Sequence, residues 1–72
     1  MAVGKVPMAA ARKIANLTQR EMGVICGVSE STVGNWEKFK TEPTVSQAQA
    51  YATACGLAYD DIIFLPEDTV KP

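Results

Sequence analysis

Apolar residues recur at helical spacing along this chain, in short stretches punctuated by glycine, proline and helix-capping residues. Met8–Asn16 is built from good helix formers, with Ala11, Ile14 and Ala15 on one side, and predicts helix 1. Thr18-Gln19-Arg20-Glu21 has the T-x-x-E form of a capping box and predicts helix 2 over 18–26, with Met22 and Cys26 inward and Ile25 flanking. Gly27 is placed to end it. Gly23 sits inside that helix, a cost of about 1 kcal/mol against alanine unless close packing requires it. Ser29 is the next N-cap, opening a helix over 29–38 with Val33 and Trp36 toward the core. Pro43 marks the loop from Lys40 to Val45. Ser46-Gln47-Ala48-Gln49, an S-x-x-Q pattern, is expected to start helix 4, with Ala48, Tyr51, Ala52 and Cys55 as its apolar stripe and Gly56 as its stop. Tyr59–Phe64 is expected as a short helix 5, with Asp60 and Asp61 in its first turn. Residues 1–7 read as a flexible arm, 8–65 as the folded unit and 66–72 as a polar tail.

Five short helices with tight connections predict a compact all-α domain. Its key unit is two helices joined by Gly27-Val28-Ser29, a three-residue turn containing glycine, which is the helix-turn-helix signature.

Seventy-two residues allow one domain, and a chain this short buries only about 60% of the surface its unfolded form exposes. The cysteines are Cys26 and Cys55, and there is no histidine. The usual Cys/His zinc spacings are therefore missing, and no metal or other cofactor is expected. Each cysteine lies in an apolar stretch just before a glycine, which suits a buried thiol in a reducing cytoplasm, although the sequence also allows one disulfide. No stretch approaches a membrane span, and the N-terminus lacks a signal-peptide layout, so a soluble cytoplasmic protein is expected. No G-x-S-x-G, phosphate-cradling loop or metal cluster points to an enzyme.

The net charge of −1 argues mildly against nucleic acid, but its distribution softens the objection. Residues 1–40 hold six basic and three acidic side chains, a balance of +3. Residues 41–72 hold one basic and five acidic side chains, a balance of −4.

Leu17-Thr18-Gln19 through Met22, then Gly27-Val28-Ser29, Thr32-Val33 and Trp36-Glu37, resemble the Cro/cI-type helix-turn-helix family, also called XRE-like. Cys55-Gly56-Leu57 with Asp60 and Ile62-Ile63 resembles that family's later helices, so the likeness covers about residues 8–64. It implies a lambda-repressor-like fold and a phage-type transcriptional regulator, acting as a homodimer on a double-stranded DNA operator. Helix 3 would be the recognition helix in the major groove. Carried over position by position, the resemblance puts Glu30, Ser31, Thr32 and Asn35 at base edges and Gln19, Ser29, Lys38 and Lys40 at phosphates. Arg12 and Glu37 resemble the family's structural ion pair between helices 1 and 3. Plainer readings stand beside these: Ser29 is a helix cap first, Gln19 suits a solvated first turn, Lys38 and Lys40 suit ordinary surface charge, and Trp36 belongs to the core. The length suggests a Cro-like or auxiliary protein, or a fragment, rather than a two-domain repressor.

Three features depart from a simple reader of DNA. Glu30 stands where the family often has glutamine; a carboxylate accepts from cytosine N4 but repels phosphates. Phe39 stands where glycine usually follows the helix. Val24 points about 200° from Met22 and, with Ile25, leaves apolar surface on helix 2. These, and the run Ile62-Ile63-Phe64-Leu65, motivate an alternative: a protein-interaction module such as an anti-repressor, co-repressor or antitoxin that binds another regulator. Val24, Ile25, Phe39, Ile63, Phe64 and Leu65 are its candidate interface.

Overall fold

Four helices and a two-residue β-ladder make up the chain in a computed structural model that describes residues 5–64. β1 (Val6–Pro7) leads into α1 (Met8–Ile14), α2 (Gln19–Cys26), α3 (Glu30–Glu37) and α4 (Val45–Cys55). A single 3-10 turn (Tyr59–Asp61) then leads into β2 (Ile62–Ile63). Leu65 and the polar tail lie outside the described residues, as do residues 1–4 of the expected arm.

The four helices stop in the same way. Each is followed by a residue in the left-handed region: Asn16 (φ 63°), Gly27 (φ 77°), Phe39 (φ 62°) and Gly56 (φ 74°). In each case the next amide reaches back to a carbonyl five residues earlier: Leu17 to Arg12, Val28 to Gly23, Lys40 to Asn35 and Leu57 to Ala52. This double-bonded ending satisfies carbonyls that a helix terminus otherwise leaves open. Glycine and asparagine take the left-handed conformation readily; phenylalanine does not.

Helix 1 is shorter than its composition suggests because Asn16 turns the chain out of the helix. Ala11 is buried, but Ile14 is 73% exposed and is not part of an inner face. Residues 5–7 are not wholly a loose arm, since Val6 and Pro7 pair in parallel with Ile62 and Ile63.

Two further expectations are corrected. Helix 4 starts two residues earlier than the Ser46 pattern indicates. Thr44 is the cap: its hydroxyl accepts from the Gln47 amide (3.2 Å), and Gln47 Oε1 accepts from the Thr44 amide (2.8 Å). Both Thr44-x-x-Gln47 and Ser46-x-x-Gln49 carry capping chemistry, and the earlier one follows directly on Pro43. The expected helix 5 is only a turn. Asp61 Oδ2 accepts from the Ala58 amide (3.1 Å), closing the turn, and the β-branched pair Ile62-Ile63 continues in extended backbone.

The core gathers Met8, Ala11, Met22, Val33, Trp36, Ala48, Tyr51, Ala52, Ile62 and Phe64. Tyr51 lies between Trp36 (ring centroids 6.4 Å apart) and the edge of Phe64 (6.1 Å). Phe64 therefore serves the core, and this corrects its candidacy as an interface residue. Ile63 is half-buried beside it. Cys26 and Cys55 are free thiols packed, partly buried, against the core, and burial pushes both thiols up.

Candidate nucleic-acid interface

The α2–turn–α3 elbow is built from local chemistry at each corner. Thr18 and Glu21 form a reciprocal cap: the Thr18 hydroxyl accepts from the Glu21 amide (3.0 Å) and Glu21 Oε1 from the Thr18 amide (2.9 Å). Gly27 then takes the left-handed turn, and the chain folds back against α2 so closely that a Cβ on Gly23 would lie 2.6 Å from the Val28 carbonyl oxygen. Close packing therefore requires glycine at position 23. Ser29 caps α3 by accepting from the Thr32 amide (3.1 Å), with its hydroxyl also 2.9 Å from that of Thr32.

The orientation of α3 is fixed from below by one carboxylate. Glu37 accepts from Arg12 Nε (2.6 Å) and Tyr51 Oη (2.7 Å) on one oxygen, and from Arg12 Nη2 (3.0 Å) and Gln19 Nε2 (3.0 Å) on the other. Four hydrogen bonds fill its acceptor capacity. The donors come from α1, α2 and α4, so every other helix is tied to α3 at this point. Arg12 also donates from Nη1 to the Leu17 carbonyl (2.9 Å), and the Tyr51 hydroxyl lies 2.8 Å from the Met8 carbonyl, sharing its one proton between two acceptors.

This network is almost dry, with the Glu37 side chain 5% exposed. Burial pushes the Glu37 carboxyl up, but the hydrogen bonds from Arg12, Gln19 and Tyr51 outweigh it and hold the group below its ordinary range. Its carboxylate in turn raises the Arg12 guanidinium, against the opposing effect of burial. Tyr51 is pushed well above the usual phenol value, first by burial and then by its bond to Glu37. Sequence reasoning placed Tyr51 in an apolar stripe; nothing local to it signals that its hydroxyl meets Glu37.

On the outer side of α3, Glu30 and Ser31 are exposed and Asn35 is half-exposed. They share an open depression of about 300 Å³ with Gln19, Gly34 and Lys38. Three of the four expected base readers and two of the four expected phosphate ligands thus converge on one surface. Thr32 and Ser29 are instead engaged with each other in the cap, and Lys40 is exposed beyond the end of α3 without lining the depression. Gly34 is not among the sequence-derived candidates, although a glycine in the middle of a helix is a visible signal. Val24 (80% exposed), Ile25 (47%) and Phe39 (37%) all present apolar surface, with Val24 and Ile25 on α2.

Among the described residues, no group of three or more His, Cys, Asp or Glu side chains is placed to hold a metal ion, and no helix is long and apolar enough to cross a membrane.

The sequence profile described as helix-turn-helix matches residues 8–62, which spans all four helices. No curated protein and no solved structure gives a significant match. With the capped elbow, its close glycine crossing and an outward helix face all inside the matched region, the chain belongs to the Cro/cI-type (XRE-like) helix-turn-helix family of DNA-binding transcription regulators.

Proposed function

We propose that this protein is a sequence-specific regulator of Cro/cI type that lays α3 in the major groove of a double-stranded operator. One observation carries the reading: Glu30, Ser31 and Asn35 converge with Gln19 and Lys38 on a single outward depression of a helix that Arg12, Gln19 and Tyr51 hold through Glu37. Ser31 and Asn35 are one helical turn apart on that face, and Asn35 has the donor–acceptor pair that matches adenine N6 and N7. Glu30, near the N-terminus of α3, is suited to accept from cytosine N4. Lys38 and Lys40 supply positive charge to the flanking phosphates. The protein works in the cytoplasm as a homodimer, reading two half-sites roughly 34 Å apart.

Titration against duplex DNA at about 50 mM salt tests the reading; binding is expected, with affinity falling steeply as salt rises. No binding to random duplexes or to any selected from a random pool sinks it.

A second reading is favoured by Val24 and Ile25, which leave exposed apolar surface on α2. A protein-interaction module would use that surface, with Phe39, to hold another regulator. Capture of one specific regulator that Val24→Lys and Phe39→Lys both abolish supports it; capture unaffected by either variant rejects this surface.

A further inference from the structure

Three of the four described glycines have a structural reason to be glycine. Gly27 and Gly56 carry positive φ, and a Cβ at Gly23 would strike a backbone carbonyl. Gly34 has neither reason. It lies inside α3, and the atoms nearest to a Cβ there belong to the Gln19 side chain, with Nε2 at 3.5 Å, an ordinary van der Waals contact. A glycine in a helix interior lowers stability relative to alanine, because it loses more backbone freedom on folding. The fold therefore bears a cost at Gly34 that its own packing does not explain.

Gly34 lines the outward depression. Glu30, Gly34 and Lys38 are spaced four apart, so they form one stripe along α3, and Gln19 of α2 lies directly against its middle. Ser31 and Asn35 form the adjoining stripe. Gly34 thus lies between Lys38 and Gln19, whose Nε2 keeps a second hydrogen for a phosphate beside the one given to Glu37, and next to the stripe suited to base edges.

We infer that Gly34 is a close-approach position for one deoxyribose–phosphate strand at the edge of the groove, where the missing side chain lets α3 settle deeper. The inference rests on the DNA-reading role proposed above and adds to it a residue that contributes by having no side chain. A strand backbone carries no base identity, so the loss from filling this space is the same for every sequence.

The test is Gly34→Ala, measured for stability and for binding to two probes: a duplex selected by the wild-type protein from a random pool, and an unselected random duplex. Tm is expected to rise by about 2–6 °C, as the helix gains an alanine. Affinity for both duplexes is expected to fall together, by about tenfold. A variant that binds both as well as wild type overturns the inference while leaving the DNA-reading role intact. A loss confined to the selected duplex also overturns it, since that is base reading. A Tm that falls shows that packing does require glycine here and removes the premise. Wild-type protein that binds neither duplex defeats the underlying role, and this inference with it.

Discussion

Arg12 and Glu37, 25 residues apart in sequence, face each other as fork to fork, with Nε 2.6 Å from one carboxylate oxygen and Nη2 3.0 Å from the other. The pair joins α1 to the last residue of α3, and its surroundings supply what a buried pair needs to be tolerable: Gln19, Tyr51 and the Leu17 carbonyl complete the hydrogen bonding. The outward face of α3 is thus held at its edge, where Gln19 both lines the depression and donates to Glu37.

Removing one partner leaves the other charged and buried. Arg12→Ala is expected to destabilise the fold by about 3–5 kcal/mol, read as a large fall in Tm by thermal unfolding. An unchanged Tm would refute a structural role for the pair.

The same carboxylate sets an acid limit. Glu37 is held below its ordinary range in the folded protein, so its contribution is fully present above the unfolded value of about 4.3 and is lost as pH falls through the folded value. Stability measured by denaturant titration should therefore decline on acidification below that range, and Glu37→Gln should flatten the decline. Parallel pH curves for the two proteins would assign the acid sensitivity elsewhere.

On the outer face, Asn35→Ala is expected to weaken specific binding by about 1–3 kcal/mol and relax preference at one base pair. Lys40→Ala should weaken all sequences alike and reduce the slope of affinity against salt. Competition binding with selected and random duplexes separates the two patterns, and equal affinity of Asn35→Ala for the best site removes Asn35 from the readers.

Phe39 occupies a left-handed position that costs a non-glycine residue about 1–2 kcal/mol. Comparing Phe39→Gly with Phe39→Ala removes the ring in both and relieves the backbone in one. The glycine variant should be the more stable by about 1 kcal/mol. Equal stabilities would mean that the strain is absorbed by the surrounding turn.

Gly23→Ala should behave opposite to Gly34→Ala. Its new methyl meets the Val28 carbonyl at 2.6 Å, and forced overpacking costs about 1–3 kcal/mol. A more stable Gly23→Ala would show that the elbow can open without penalty.

Local chemistry made much of this molecule legible from the chain alone. The Thr18/Glu21 cap, the Gly27 turn and the Ser29 cap act within three or four residues, so their roles can be read where the residues stand, and with them the elbow and the outward placement of Glu30 and Ser31. The inward positions Met22, Val33, Trp36 and Tyr51 follow equally from helical period. Tertiary structure alone chose between the Thr44 and Ser46 caps, which carry the same chemistry two residues apart. It also replaced an expected fifth helix with a strand, because the partner of Ile62 is Val6, near the other end of the chain. The hydroxyl of Tyr51 on Glu37, and the close crossing that requires glycine at 23 but not at 34, were likewise decided only when separate helices met. Periodicity tells which side of a helix is buried; it does not tell which atom waits across the gap.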